Sequence, residues 1–182
     1  MLTHLRPAIV LTLFFTLLTG LAYPLAITGA AQAIFPAQAN GSQIVRDGTL
    51  IGSSLIGQNW TADKYFHGRP SAVKYDASTS SGSNLGPSSK TLMAAIADNA
   101  KSLGGSNIPA DLVTASGSGL DPDISPAGAL FQVTRVARTR GLSEDALRQL
   151  IAAHTQPPEL GILGEPHVNV LDLNLALDAL KP

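Results

Sequence analysis

Ser71-Ala72-Val73-Lys74 sets a hydroxyl and an amine at the S-x-x-K spacing. In that arrangement the lysine can take the serine proton while the oxygen attacks an acyl group. The pair makes a membrane-anchored serine acyl-enzyme one reading of the chain. Its usual companions are missing: no S-x-N follows, and Lys90-Thr91 runs into Leu92 rather than glycine. The same Lys90-Thr91, behind Gly82 and Gly86, departs from a phosphate-binding loop, with Ser89 before the lysine and Asn84 at the first glycine position. No G-x-S-x-G elbow occurs, and His4, His67, His154 and His167 have no metal-ligand spacing. The chain contains no cysteine. Neither a metal nor a tightly bound cofactor is expected.

Three segments rich in glycine, serine and aromatic residues remain as candidates for contact with a partner. They are Gly52 to Gln58, Tyr65 to Ala72, and Val113 to Pro122. The elements that must position them are short. Asp47-Gly48, between Gln43-Ile44-Val45-Arg46 and Thr49-Leu50-Ile51, reads as a two-residue hairpin turn, because both residues tolerate positive φ. Leu92, Met93, Ile96, Ala100 and Leu103 recur at helical spacing after Pro87-Ser88, and Gly104-Gly105 closes that helix. Leu112 to Ala115 reads as a short buried strand. Ser125 with Pro126, and Ser143 with Glu144 and Asp145, open two further helices. At the C-terminus Leu171, Leu173, Leu175 and Leu177 alternate like a strand, but Asn169 with Asp172 resembles a cap, and the helix is preferred. The fold class is α+β, with two to four short strands and about four helices in a domain covering residues 37–182.

Between Arg6 and Arg46 there is no charged side chain. Residues 8–31 are apolar over a length that, at ~1.5 Å per residue, crosses a hydrocarbon core of ~30 Å. Residues 1–7, carrying Arg6, then face the cytoplasm and the domain lies outside it. A cleaved signal peptide is the rival reading, since Ala31-Gln32-Ala33 and Ala37-Gln38-Ala39 resemble cleavage sites. Thr12, Thr16 and Gly20 recur every fourth residue, a small-residue face on which another membrane helix can pack closely. Pro24 should loosen the helix. The formal net charge is −1 and charged residues make up 14% of the chain, against ~25% in ordinary soluble domains. With no basic patch, nucleic acid is excluded as a partner by electrostatics; lipid enters through the anchor alone.

The chain resembles the C subunit family of the bacterial Kdp potassium-transporting P-type ATPase. The resemblance runs through Leu5-Arg6-Pro7-Ala8, Thr19-Gly20, Tyr23-Pro24, Gln38 to Ser42, Leu55-Ile56-Gly57-Gln58, Tyr65 to Ala72, Gly82-Ser83-Asn84-Leu85, Leu112 to Asp121, and Val168 to Asp178. It implies an accessory, non-catalytic subunit with one span in the bacterial inner membrane. The implied partners are a K+-translocating channel-like subunit, a P-type ATP-hydrolysing subunit and a small membrane subunit. The phosphorylation motif D-K-T-G is absent here. The resemblance also implies a catalytic chaperone that raises the ATP affinity of the hydrolytic subunit; ATP enters only on that basis. On the matching segments, Gln58, Tyr65, Phe66, His67, Arg69, Asn84 and Asp121 are the partner-contact candidates. For Asp121 and Asp123, turn capping and an electrostatic influence on K+ entry are both open.

Overall fold

The structure, a computed structural model, describes residues 2–180. Met1, Lys181 and Pro182, which the sequence-based boundaries include, lie outside the described residues. The chain forms two compact units, Met1–Ser53 and Ser54–Pro182.

In the first unit one continuous helix, Leu5–Ile34, is long and apolar enough to cross a membrane. Its 30 residues span about 45 Å. It comprises α1 (Leu5–Leu17), a wide π-type turn (Leu18–Ala22) and α2 (Tyr23–Ile34). The wide turn has a sequence cause. Pro24 has no N–H to give to the carbonyl four residues back, Gly20, and its ring crowds that oxygen. The helix relaxes to five-residue bonding, with the Tyr23 N–H donating to the Leu18 carbonyl. A single-turn helix α3 (Pro36–Ala39) follows, and the side-chain amides of Gln32 and Asn40 exchange hydrogen bonds across it at 3.2 and 3.3 Å. Strands β1 (Gln43–Arg46) and β2 (Thr49–Ser53) then pair antiparallel. Asp47 and Gly48 between them both have positive φ, 51° and 77°, as the tight turn requires. The register slips by one residue between Ile44 and Val45, a bulge that sharpens the twist.

The second unit holds the core. It starts with irregular chain to Ser89, whose hydroxyl accepts from the Leu92 N–H and caps α4 (Lys90–Leu103). Gly104 ends that helix at φ 65°. Next comes α5 (Ala110–Val113), where a strand is expected from sequence. Pro109 can supply a carbonyl but no N–H, and a single turn closes on Pro109 and Ala110 by accepting from Leu112 and Thr114. The Asn99 side chain then donates to the Val113 carbonyl, so the turn's exposed end is satisfied.

A two-residue strand β3 (Asp123–Ile124) leads into α6 (Pro126–Phe131) and α7 (Val133–Arg140), capped by Ser125 and closed by left-handed Gly141. Helix α8 (Glu144–His154) is capped by Ser143. Strands β4 (Thr155–Gln156) and β5 (His167–Asn169) complete an antiparallel sheet of order β3-β5-β4. The last residue of β5, Asn169, caps α9 (Val170–Ala179) through the Asp172 N–H. The fold is α+β, as the sequence indicates. Phe66, Leu112, Ile124, Val133, Val136, Leu147, Ile151, Val168, Leu173 and Leu177 form the buried cluster. Each such side chain contributes roughly 1.5–3 kcal/mol through apolar burial.

Candidate interaction site

The segment from Tyr65 to Ser71 has no regular secondary structure, yet it passes through the core. Irregular backbone inside a protein leaves N–H and C=O groups without ladder partners. Two buried side-chain amides supply them. Asn174 on α9 accepts from the Phe66 N–H and donates to the Phe66 carbonyl, both at 2.9 Å. Gln132, at the joint of α6 and α7, accepts from the His67 N–H at 2.8 Å and donates to the His67 carbonyl at 3.0 Å. The two consecutive residues are gripped from two different helices.

Beyond His67 the chain is tied to the loop before β3. Arg69 donates from Nη1 to Asp121 Oδ2 at 2.9 Å, and the other oxygen of Asp121 accepts from the Asp123 N–H at 3.1 Å. The Tyr75 hydroxyl donates to the Arg69 carbonyl at 2.7 Å. Burial, with Asp121 nearby, pushes that phenol up to about 12, and Arg69 opposes the shift. Gly57 donates to the Leu120 carbonyl at 2.8 Å. A Cβ on Gly57 would run into the Asp121 carbonyl oxygen and the Tyr75 ring, so three loops distant in sequence touch at this point through glycine.

The Ser71 hydroxyl belongs to the same knot. It donates to the Gly119 carbonyl at 2.6 Å and accepts from the Val73 and Tyr75 N–H groups at 3.2 and 3.0 Å. Its proton is directed at a carbonyl oxygen rather than a base, and Lys74 is exposed at φ 55° without a hydrogen bond to it. An activated serine needs a base in hydrogen-bond reach; here the hydroxyl closes a turn.

On the other side, Trp60 packs on Tyr65 with ring centroids 4.6 Å apart. The Tyr65 hydroxyl donates to Asp178 at 3.1 Å. Arg140 lies 4.9 Å from the Tyr65 ring centre, pairs with Asp178 at 2.6 Å, and donates to the Lys64 carbonyl at 2.9 Å.

The sequence candidates therefore separate. Tyr65, Phe66, His67, Arg69 and Asp121 are brought together as one internally bonded spine, with Phe66 wholly inside. Gln58 lies half-buried, its carbonyl accepting from Trp60. Asn84 is exposed with left-handed backbone at φ 53°, and no hydrogen bond ties its side chain to the spine among the described residues. Thr12 and Thr16 sit in α1 and Gly20 within the wide turn, all exposed. Asn174 and Gln132 are absent from the sequence candidates. The signal for both is polarity on an apolar stripe: Asn174 falls four residues after Val170 and three before Leu177, where a polar group must find a partner.

Two hollows border the spine. One, of about 650 Å³, is lined by His67, Leu103, Phe131, Arg135 and Arg138 among others. Burial holds His67 below the usual histidine range; the Ala62 carbonyl facing its Nε2 opposes this, and Arg135 adds to it. The other, of about 210 Å³, contains Arg69, Asp111, Asp121, Asp123, Glu165 and His167. Asp123 is raised above the usual carboxylate range, chiefly by burial, with His167 opposing. Each aspartate is already engaged, Asp111 by the Ser125 N–H, Asp121 by Arg69 and Asp123 by Asn169. Among the described residues no group of three or more His, Cys, Asp or Glu is arranged to hold a metal ion.

Residues 5–179 match the family model described as KdpC, the c chain of the K+-transporting ATPase. The potassium-transporting ATPase KdpC subunit of Gemmatimonas aurantiaca is 60% identical over 189 residues, covering 100% of this chain and 95% of that protein. Its counterpart in Rhodopseudomonas palustris strain BisB18 is 57% identical, covering 100% of both chains. The subunit of Caulobacter vibrioides strain NA1000 is 59% identical, covering 100% of this chain and 96% of its own.

Proposed function

The chain belongs to the KdpC family, the c chains of K+-transporting ATPases, and from that membership we propose that it is the accessory subunit of a high-affinity, ATP-driven potassium uptake pump. It is a non-catalytic part. It works beside a K+-translocating channel-like subunit, a P-type subunit that hydrolyses ATP, and a small membrane subunit. The apolar helix crosses the bacterial inner membrane with its N-terminus in the cytoplasm, and packs on its neighbours through Thr12, Thr16 and Gly20. The domain stands outside the cytoplasm and steadies the assembled complex. A rise in the hydrolytic subunit's ATP affinity follows from assembly rather than from nucleotide held by this chain, because that placement keeps the domain away from cytoplasmic ATP.

The observation behind this reading is how the polar groups of the spine are used. Asn174, Gln132, Arg69, Asp121 and Ser71 bind backbone and each other. That chemistry makes a rigid docking body, in which the Ser71 hydroxyl is engaged by backbone rather than by a base. Rigidity matters because a preorganised surface loses little conformational freedom on binding.

The test is a pump purified with this subunit truncated after Ser53. Loss of complex recovery, or of K+-stimulated ATP hydrolysis, is expected. Unchanged assembly and transport would reject the structural role. A Gly20→Ile variant separately probes the helix face, since a bulky side chain there holds a neighbouring helix away; normal co-purification would remove that face from the account.

A further inference from the structure

Between β4 and β5 the chain makes a tight projection, Pro158-Glu159-Leu160-Gly161-Ile162-Leu163-Gly164. Leu160 is 89% exposed, Ile162 81% and Leu163 56%. Scattered exposed leucines are ordinary. Three large apolar side chains within four residues on one loop are a different matter. This loop is also shaped: Glu159 and Leu163 exchange both backbone hydrogen bonds at 2.9 Å, and the Gly161 N–H donates to the Pro158 carbonyl at 3.0 Å. Leu160 is held at φ 54°, a conformation that an apolar residue adopts only when its turn imposes it. A hairpin tip closed by its own backbone presents its side chains in a fixed arrangement.

We propose that this finger docks into an apolar pocket with a cationic rim on another protein subunit of the pump. The inference rests on the reading of the chain as a pump subunit. Charge selects a protein pocket over the bilayer. Loops that enter membranes carry lysine or arginine beside their apolar residues, which meet anionic headgroups. Here the flanking residues are Glu159 and Glu165, and no Lys or Arg occurs between Arg148 and Lys181. Glu165 continues into the hollow that holds Asp111, Asp121 and Asp123, where Arg69 is already paired with Asp121. The root of the finger is thus an acidic surface. Its complement is a pocket that takes Leu160 and Ile162 and is bordered by Lys or Arg, giving an apolar centre inside a charged rim.

The lack of native cysteine allows a direct test. Leu160→Cys and Ile162→Cys are made singly in the full chain, with exposed Asp145→Cys as reference, and maleimide labelling of this subunit is timed. In the detergent-purified complex the finger cysteines should label about tenfold more slowly or worse than in the free chain, because the centre of an interface excludes water. Asp145→Cys should label equally in both. Equal labelling of the finger in the complex and the free chain would overturn the inference while leaving co-purification, and the subunit reading, intact. Protection of the free chain in phosphatidylglycerol–phosphatidylethanolamine vesicles would overturn it in favour of lipid. Protection of the free chain that rises with its own concentration would overturn it in favour of a second copy. Failure to co-purify with a P-type ATPase defeats the subunit reading and the inference together.

Discussion

The side-chain amide of Asn174 closes a two-bond ring with the backbone of Phe66, residues 108 positions apart in sequence. Both bonds are buried, and the Phe66 ring is itself in the core. One side chain therefore satisfies both the N–H and the C=O of a buried residue in an irregular segment.

Replacing Asn174 with leucine removes both bonds and leaves an N–H and a C=O stranded. At roughly 1–3 kcal/mol for each of the two unsatisfied buried groups, the loss comes to about 2–6 kcal/mol. Urea unfolding of the full chain in detergent, followed by the emission of the sole tryptophan, Trp60, measures it. Trp60 packs at a tilt against Tyr65, the residue next to Phe66, so the signal reports the affected segment. A change below about 0.5 kcal/mol would mean that the ring is incidental.

Gly119→Ala and Gly86→Ala should differ sharply. Gly119 sits at φ 69°, and a Cβ there would lie 2.6 Å from both the Ser81 carbonyl and the Val73 methyl. That strain costs about 1–3 kcal/mol. Gly86 has open space around the same atom and needs no left-handed backbone, so its change stays within about 0.5 kcal/mol. Equal thermal midpoints for the two variants would contradict the crossing of the two loops.

The domain should lose stability as pH falls through the histidine range. His67 is held below its usual value, mainly by burial. The unfolded chain therefore takes up a proton more readily than the folded one, and stability declines as pH drops from about 6.5 towards the lowered value. His67→Gln should flatten that slope in urea midpoints measured between about pH 7 and pH 5. A slope unchanged by the substitution would assign it to another group.

Arg140→Ala should cost about 1–2 kcal/mol, the sum of a partly exposed ion pair, a cation–π contact and a hydrogen bond to Lys64. Arg140→Lys should recover little of this, because an ammonium cannot reach a carbonyl, a carboxylate and a ring face at once. Full rescue by lysine in the same urea experiment would show that charge alone mattered.

What the sequence reveals here is what neighbours decide. Ser125, Ser143 and Asn169 each cap the helix that their position indicates, and Gly104 and Gly141 each stop one, whereas the helix expected from Pro87-Ser88 begins at Lys90, capped by Ser89. The Asp47-Gly48 turn is legible for the same reason. The long apolar helix needs only composition. Residues 54–86 are illegible because their partners are remote: the hydrogen bonds of Phe66 and His67 come from residues 108 and 65 positions away. Strands β3 and β4, at 2 residues each, are too short to show alternation. Leu112 to Ala115 has the apolar content of a strand, but Pro109 opens one helical turn there. The candidate site is legible in the sequence as a set of unusual loops; that these loops bond to one another appears only in three dimensions.

The wide turn ahead of Pro24 changes what the long apolar helix offers to its surroundings. Taking up one extra residue rotates everything beyond it by about 100° relative to an unbroken helix. The half bearing Thr12 and Thr16 is consequently turned relative to the half beyond Pro24, so a stripe that would run unbroken along a regular helix is split in two. Swapping Pro24 for alanine would restore the missing N–H donor and should bring the two halves back into phase.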